Sequence, residues 1–230
     1  MFLISLNLFG QFKIEVFSGM TVNPVEQPFL ASVGFSPGIE IGKFSFEYAL
    51  DLNINKRNQK AINAFVLNTS YQIVIDDNPL KFSLFYLHKP ISQMLNIHNT
   101  GCFANYKFKK WEFLLGNNLN IYKFTNNAVD VYNILDNETL VEAFNLIYTL
   151  KYYLFKKGNA WNTYFNLSNF DKFVIEQEIN PMINLGACYQ KNLDTPSFYL
   201  DLWYQSAGFN NIRVNYFGFF YRIGVLWEID

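Results

Sequence analysis

The stretch 212–229, with the sequence IRVNYFGFFYRIGVLWEI, constrains the fold more than any other part of the chain. Read with a period of two residues, one face carries only apolar and aromatic side chains from Phe217 to Ile229. The opposite face mixes Arg222 and Glu228 with glycines and some bulky residues. A long strand with two such different faces is typical of a wall between lipid and a wetter interior.

The same alternation recurs along the chain and predicts further strands. They cover 11–19, 29–42, 44–55, 61–75, 80–89, 102–109, 111–122, 138–155, 160–168, 182–191 and 198–205. No uninterrupted apolar run of about 18 residues occurs, so an ordinary transmembrane helix is not expected. Strands that span a membrane must satisfy every backbone group by closing into a ring. The pattern therefore predicts an all-β fold, a single antiparallel transmembrane barrel of about twelve strands in an up-and-down meander.

Three places depart from simple alternation. Pro37 removes a hydrogen-bond donor within its strand and predicts a bulge or kink there. Asn117 lies on the apolar face of its strand, which predicts a bulge at Gly116 to Asn118 or an early end of the lipid-facing part. The stretch 138–155 also has apolar residues at helical spacing after a possible cap at Asp136, so a helix competes with a strand.

Composition excludes several classes of function. The chain has 230 residues, of which 19% are aromatic and 16% charged, with a net charge of -1. This balance provides no basic footprint for nucleic acid. No glycine-rich phosphate loop, metal-ligand cluster or cofactor motif is present, so we expect no cofactor and no metal. Cys102 is in phase with outward residues and Cys188 with inward ones, so a disulfide between them is not expected.

The first ten residues, MFLISLNLFG, form an apolar segment that ends in a small residue. This is typical of the remnant of a secretion signal, although the basic start of such signals is missing. An apolar lead into the first strand is the alternative. We therefore divide the chain into a signal-peptide remnant at 1–10 and a barrel domain at 11–230.

The positions of the tryptophans and the lengths of the connections between strands distinguish the periplasmic end of the predicted barrel from its external end. Trp111 and Trp161 begin strands just after short turns, and Trp227 nearly ends the chain, all in outward phase. This placement predicts an aromatic belt at one membrane interface. The connections are mostly long and short in alternation, with longer ones expected after the strands ending near 19, 89, 122 and 168. Outer-membrane barrels combine long, surface-exposed external loops with short periplasmic turns.

The closing segment 216–227 resembles the C-terminal signal of bacterial outer-membrane β-barrels, although the chain ends in Glu228, Ile229 and Asp230 rather than an aromatic residue. The resemblance to this class covers 11–230. It implies a location in the bacterial outer membrane, contact with membrane lipids, and recognition of the last strand by the outer-membrane assembly machinery.

Residues that alternate toward the interior of the predicted barrel are expected to line its lumen. Those expected to act in binding or selectivity are Glu47, Asp51, Lys81, Lys107, Glu112, Lys151, Asp201 and Arg222. Their near balance of charge predicts weak ion selectivity, or charges that pair in a closed interior. Bulky inward residues, among them Tyr199, Trp203 and Phe220, favour a constricted or plugged lumen.

Three functions remain open from the sequence. The first is a narrow, porin-like channel that transports small solutes, and the second is a non-conducting structural or surface-binding barrel that acts through its external loops. The third is an outer-membrane hydrolase at the rim, built on His88 or His98 with Ser92, Asn96 or Asn99. No spacing singles out a nucleophile and its base, so ordinary polar loop residues explain these positions better. A soluble ligand-binding barrel is the remaining alternative.

Overall fold

The computed structural model of this chain is a closed antiparallel barrel, as the alternation predicted. It describes residues 10–23, 27–54, 61–90, 95–125, 139–157, 161–171, 174–175, 182–190, 195–205 and 218–229. The strands are β1 (Gly10–Asn23), β2 (Gln27–Ile41), β3 (Phe44–Asn53), β4 (Ile62–Ile75), β5 (Asn78–Pro90), β6 (Leu95–Phe108), β7 (Trp111–Phe124), β8 (Thr139–Lys157), β9 (Trp161–Ser168), β10 (Phe170–Asp171), β11 (Val174–Ile175), β12 (Met182–Gln190), β13 (Ser197–Gln205) and β14 (Gly218–Ile229).

The barrel is an up-and-down meander closed between its first and last strands. β14 pairs with β13 on one side and with β1 on the other, where Ile14 lies opposite Trp227. The short β10 and β11 pair only with each other and interrupt the meander between β9 and β12. Closure leaves no free edge in the twelve-stranded ring, so the backbone groups of its strands are paired within it.

Tight turns lie at one end of the barrel, called the turn end here. Residues with positive φ make them: Gly42 (62°), Asp76 (48°), Asp77 (62°) and Lys109 (53°). Two-residue hairpin turns favour such conformations because their twist matches that of the strands. The start of β1 and the end of β14 are at this end too, and the opposite end is called the loop end.

Several predicted boundaries were wrong by more than a few residues. β6 begins at Leu95 rather than 102, and β1 extends to Asn23, so the connections after β1 and β5 are short rather than long. The first outward residues of β6 are polar, whereas Leu95 and Ile97 are on the inward phase, which hid the alternation. β8 is a strand over Thr139–Lys157, which confirms the strand over the helix. The predicted strand portion at 212–217 and residues 1–9 of the possible signal at 1–10 lie outside the described residues, and Gly10 is the first residue of β1.

A register shift lies close to one of the two predicted irregularities and is absent at the other. The register between β2 and β3 is the same on both sides of Pro37, with Phe35 opposite Leu50 and Gly38 opposite Glu47, so the predicted bulge there was wrong. In the β7–β8 pairing the register shifts between Asn118 and Asn120, just beyond the predicted bulge.

The outer face is apolar, as expected of a surface in contact with lipid. Exposed side chains on it include Leu84 (61%), Leu115 (62%) and Leu185 (54%). The predicted belt is also present at the turn end, where Trp111 lies 4.6 Å from Tyr152 between ring centroids. The other aromatic members of this turn-end girdle are Phe44, Tyr71, Tyr106, Phe108, Trp161, Tyr189 and Trp227.

Candidate functional site in the barrel interior

The inner wall contains a row of charged side chains on β6, β7 and β8. Lys107, Glu112 and Lys151 lie directly opposite one another on these strands. Glu112 accepts hydrogen bonds from the Tyr153 hydroxyl at 2.6 Å and from the Asn105 amide at 2.8 Å. Neutral donors therefore stabilise this carboxylate together with the two lysines.

Tyrosine rings hold the two lysines of this row. The Lys151 ammonium lies 3.8 Å from the centroid of the Tyr164 ring, and Lys107 lies 4.8 Å from that of Tyr153. An ammonium over an aromatic face is attracted by the ring quadrupole. These contacts keep both cations along the wall rather than across the lumen.

Asp201 and Arg222 face the interior from neighbouring strands, where they are directly opposite each other. Asp201 accepts hydrogen bonds from the Tyr164 hydroxyl at 2.6 Å and the Asn184 amide at 3.1 Å. The guanidinium of Arg222 forms an ion pair with Asp171 of β10 at 2.6 Å. Sequence reasoning missed Asp171, because alternation treats the segment after β9 as a loop.

The other predicted site residues lie on β3 and β5. Glu47 accepts a hydrogen bond from the Ser36 hydroxyl at 2.7 Å, and Asp51 is buried at 4% exposure. Lys81 is half-buried and lies within electrostatic range of Glu47 and of Glu40. A half-open cavity of about 260 Å³ at the turn end is lined in part by Glu40, Ser45, Gln72 and Lys81. The structure thus places all eight predicted residues on the inner wall.

β10 lies within the barrel and connects opposite walls. The Arg222 guanidinium donates two hydrogen bonds to the Asp171 carboxylate, at 2.6 and 3.2 Å. The Phe170 ring packs between Phe85 of β5 and Phe103 of β6, with centroids 5.4 Å from each. Since β5, β6 and β14 are on different sides of β9 in the ring, this segment narrows the lumen.

Asn169 anchors the start of this segment to β8. Its carboxamide oxygen accepts the backbone N–H of Tyr148 at 2.8 Å, and its amide donates to the carbonyl of Leu146 at 2.7 Å. Asn169 is itself 1% exposed. The amide replaces a strand partner at the point where β9 ends, which turns the chain inward.

Other interior residues confirm the predicted crowding. Tyr199 donates a hydrogen bond to Glu15 of β1, and Trp203 stacks on Phe220 with centroids 5.5 Å apart. Phe17 is 3% exposed and belongs to an apolar cluster with the inward residues Ala49, Ala64, Val66 and Leu87. The interior is therefore both charged and partly filled.

The described residues proposed for a rim hydrolase lie on both faces of the barrel wall. His98 faces outward, whereas the adjacent Asn99 is 2% exposed on the inner face and donates to Asn120. His98 lies inside β6 rather than in a loop, which corrects its predicted position, whereas His88 lies in β5 as predicted. Ser92 lies outside the described residues.

Among the residues that the structure describes, no group of three or more His, Cys, Asp or Glu side chains could hold a metal ion. No helix among the same residues is long and apolar enough to cross a membrane.

Solved outer-membrane barrels with a similar fold include porins, channels and the translocator domain of the autotransporter NalP from Neisseria meningitidis, which matches with a TM-score of 0.51 and 11% identity over 95% of this chain and 88% of its own. The NanC porin matches with a TM-score of 0.57 and 11% identity over 94% of this chain and 100% of its own. The KdgM porin, solved in complex with disordered oligogalacturonate, matches with a TM-score of 0.55 and 9% identity over 95% and 99% of the two chains. An outer-membrane channel from Pseudomonas putida F1 gives 0.55 and 7% over 96% and 95%. The chain has the fold of an outer-membrane β-barrel.

The outer-membrane barrel fold agrees with the apolar outer face and the aromatic girdle. At these identities the similarity establishes the architecture. It does not identify a solute for this chain. No family model and no curated protein matches the chain.

Proposed function

We propose that this protein is a narrow outer-membrane channel for small solutes, in which the segment Asn169 to Asp171 forms the constriction. The observation that carries the proposal is the double hydrogen bond between Arg222 and Asp171, which holds this segment inside a twelve-stranded barrel. A barrel of this size is wider than side chains alone fill. An inserted segment therefore sets the width of the pore.

Charge on the inner wall supports a water-filled lumen. Lys107 lies on the inward phase of β6 and is nevertheless exposed to solvent. Glu40 is also exposed, near the cavity at the turn end. Ionised groups are expensive to bury without water or partners. Because acids and bases alternate along the wall, the channel selects weakly between cations and anions.

A second candidate is a barrel that does not conduct and acts through its loop end. The contacts of Phe170 with Phe85 and Phe103 favour it, since the segment then extends from the β5–β6 wall to Arg222 of β14 and would close the lumen to water. Solute flux separates the two candidates.

The test is solute flux into proteoliposomes. Refolded protein is reconstituted, and osmotic swelling is followed after addition of a pentose, a hexose or a trisaccharide. The proposal requires swelling with the smaller sugars that falls steeply with solute size. Absence of swelling in liposomes that contain folded, inserted protein favours the non-conducting barrel.

We further propose that the outer-membrane assembly machinery recognises the last strand. β14 carries exposed Ile223 and Trp227 on its outward face and closes the barrel against β1. Removal of residues 227–230 should slow assembly into the outer membrane in cells more than it slows unassisted refolding into detergent.

A further inference from the structure

Both histidines of the chain lie side by side on the outer face near the loop end. His88 of β5 and His98 of β6 are directly opposite in the strand register, with ring centroids 4.7 Å apart. The His88 ring also packs on Phe65 at 5.2 Å, and Phe65 contacts the exposed, outward Tyr48. Polar imidazoles thus occupy a surface that is elsewhere apolar.

Tyr86 orients one of these rings. Its hydroxyl lies 2.6 Å from Nδ1 of His98. When the hydroxyl donates this bond, the proton of the neutral imidazole is on Nε2, which is then available to an acceptor outside the barrel wall.

Lys123 adds a positive charge to the same place. It is exposed on β7, lies opposite Asn96 in the register, and acts electrostatically on His98. No carboxylate lies on the described outward positions of β4 to β7. We call Tyr86, His88, His98 and Lys123 the basic patch.

The depth of the basic patch matches a membrane interface. From Phe108 in the turn-end girdle to His98, β6 rises roughly 25 Å along the membrane normal at about 3.3 Å per residue and a tilt of about 40°. The apolar band of an outer-membrane barrel is about 25 Å tall. The patch is therefore at the opposite interface, at the level of lipid headgroups.

We propose that the basic patch binds a phosphate group of an anionic lipid in the outer leaflet. Lys123 supplies charge, the two imidazoles supply N–H donors, and the rings of Phe65 and Tyr86 border the acyl chains. Loops of outer-membrane barrels face outward, which puts the loop end in that leaflet. Charge complementarity selects an anionic headgroup over a zwitterionic one.

Native mass spectrometry of the full chain in detergent tests this proposal. The protein is titrated with a diphosphorylated glycolipid, with a zwitterionic phospholipid, and with inorganic phosphate. Wild type should bind the diphosphorylated lipid at least about tenfold more tightly than the variant H88Q/H98Q/K123Q, because charge-assisted hydrogen bonds are lost. The control K109Q/K110Q, changed at the turn end, should bind like wild type.

Three results would overturn the proposal: equal lipid affinity of wild type and triple variant, an equal loss in the turn-end control, or full competition by inorganic phosphate. Heat-modifiable migration on a gel verifies that each variant is folded. If the triple variant does not fold, K123Q alone changes an exposed residue, and unchanged lipid affinity in that variant overturns the proposal as well.

Discussion

Arg222 of β14 and Asp171 of β10, 51 residues apart in the chain, are joined by two hydrogen bonds inside the barrel. Both side chains are largely shielded, with exposures of 12% and 10%. A bidentate pair fixes both the position and the orientation of the two groups. The constriction is thus attached to the wall by this ion pair, by the aromatic cluster around Phe170 and by the hydrogen bonds of Asn169 to β8.

Asp171→Asn should widen the pore. The substitution keeps the shape of the side chain but removes its charge, and breaking a buried ion pair costs up to about 3–5 kcal/mol. The lost free energy weakens the attachment of the segment to β14, whereas the pairing of the barrel strands is unaffected. We expect a larger single-channel conductance and passage of larger sugars in the swelling assay.

Glu228→Gln is the matched control for Asp171→Asn, because it also removes one carboxylate charge. Lys13 and Glu228 form an exposed pair at 3.8 Å, with exposures of 36% and 46%, close to the turn end. Exposed pairs contribute only about 0–1 kcal/mol. An equal rise in conductance in both variants would show that charge, and not release of the segment, is responsible.

Leu115→Arg should destabilise the protein in lipid far more than Phe219→Arg. Leu115 is 62% exposed and about 10 Å above Trp111 along the normal, near mid-membrane, where arginine costs about 2–4 kcal/mol. Phe219 is 65% exposed but packs on Tyr204 at the loop end, where the cost falls to about 0–1 kcal/mol. Urea unfolding from liposomes measures both, and equal costs would mean that the depths are misassigned.

Gly34→Ala should be destabilising by about 1–3 kcal/mol through overpacking. A Cβ at this position would overlap the Phe17 ring, which is buried in the cluster with Ala49 and Leu87 and has little room to move. Adding Phe17→Leu should recover part of the loss. A double variant no more stable than Gly34→Ala alone in a urea titration would argue against this contact.

Lys107→Gln should increase preference for cations. The substitution removes an exposed interior cation and leaves Glu112 beside it, which makes the wall more negative. Reversal potentials in a salt gradient should shift toward cation selectivity, whereas Lys110→Gln at the turn should shift them less. A shift of equal size in both variants would place Lys107 outside the conducting path.

The ring of strands was predictable because its two faces meet different solvents. Alternation in β3 and β14 follows directly from lipid on one side and a polar interior on the other. At the start of β6 the outward residues are polar and Leu95 and Ile97 are on the inward phase, so the expected alternation is absent and the boundary was missed. The Trp111, Trp161 and Trp227 positions were predictable for the same reason, since an interface favours amphipathic rings.

The constriction was not predictable from local pattern. Phe170 and Asp171 have their partners on β5, β6 and β14, so their role depends on closure of the ring. One weak signal existed, because a buried Arg222 in a narrow lumen needs an anionic partner. Sequence alone does not identify that partner, since Asp201 is nearer in register and is held by Tyr164 and Asn184.

Single-channel recording in a planar bilayer tests the central claim most directly. The refolded wild type should give small, reproducible conductance steps, and Asp171→Asn should give larger ones from the same barrel. Silence from both, with insertion verified by protease protection, would contradict a water-filled lumen constricted by the segment Asn169 to Asp171.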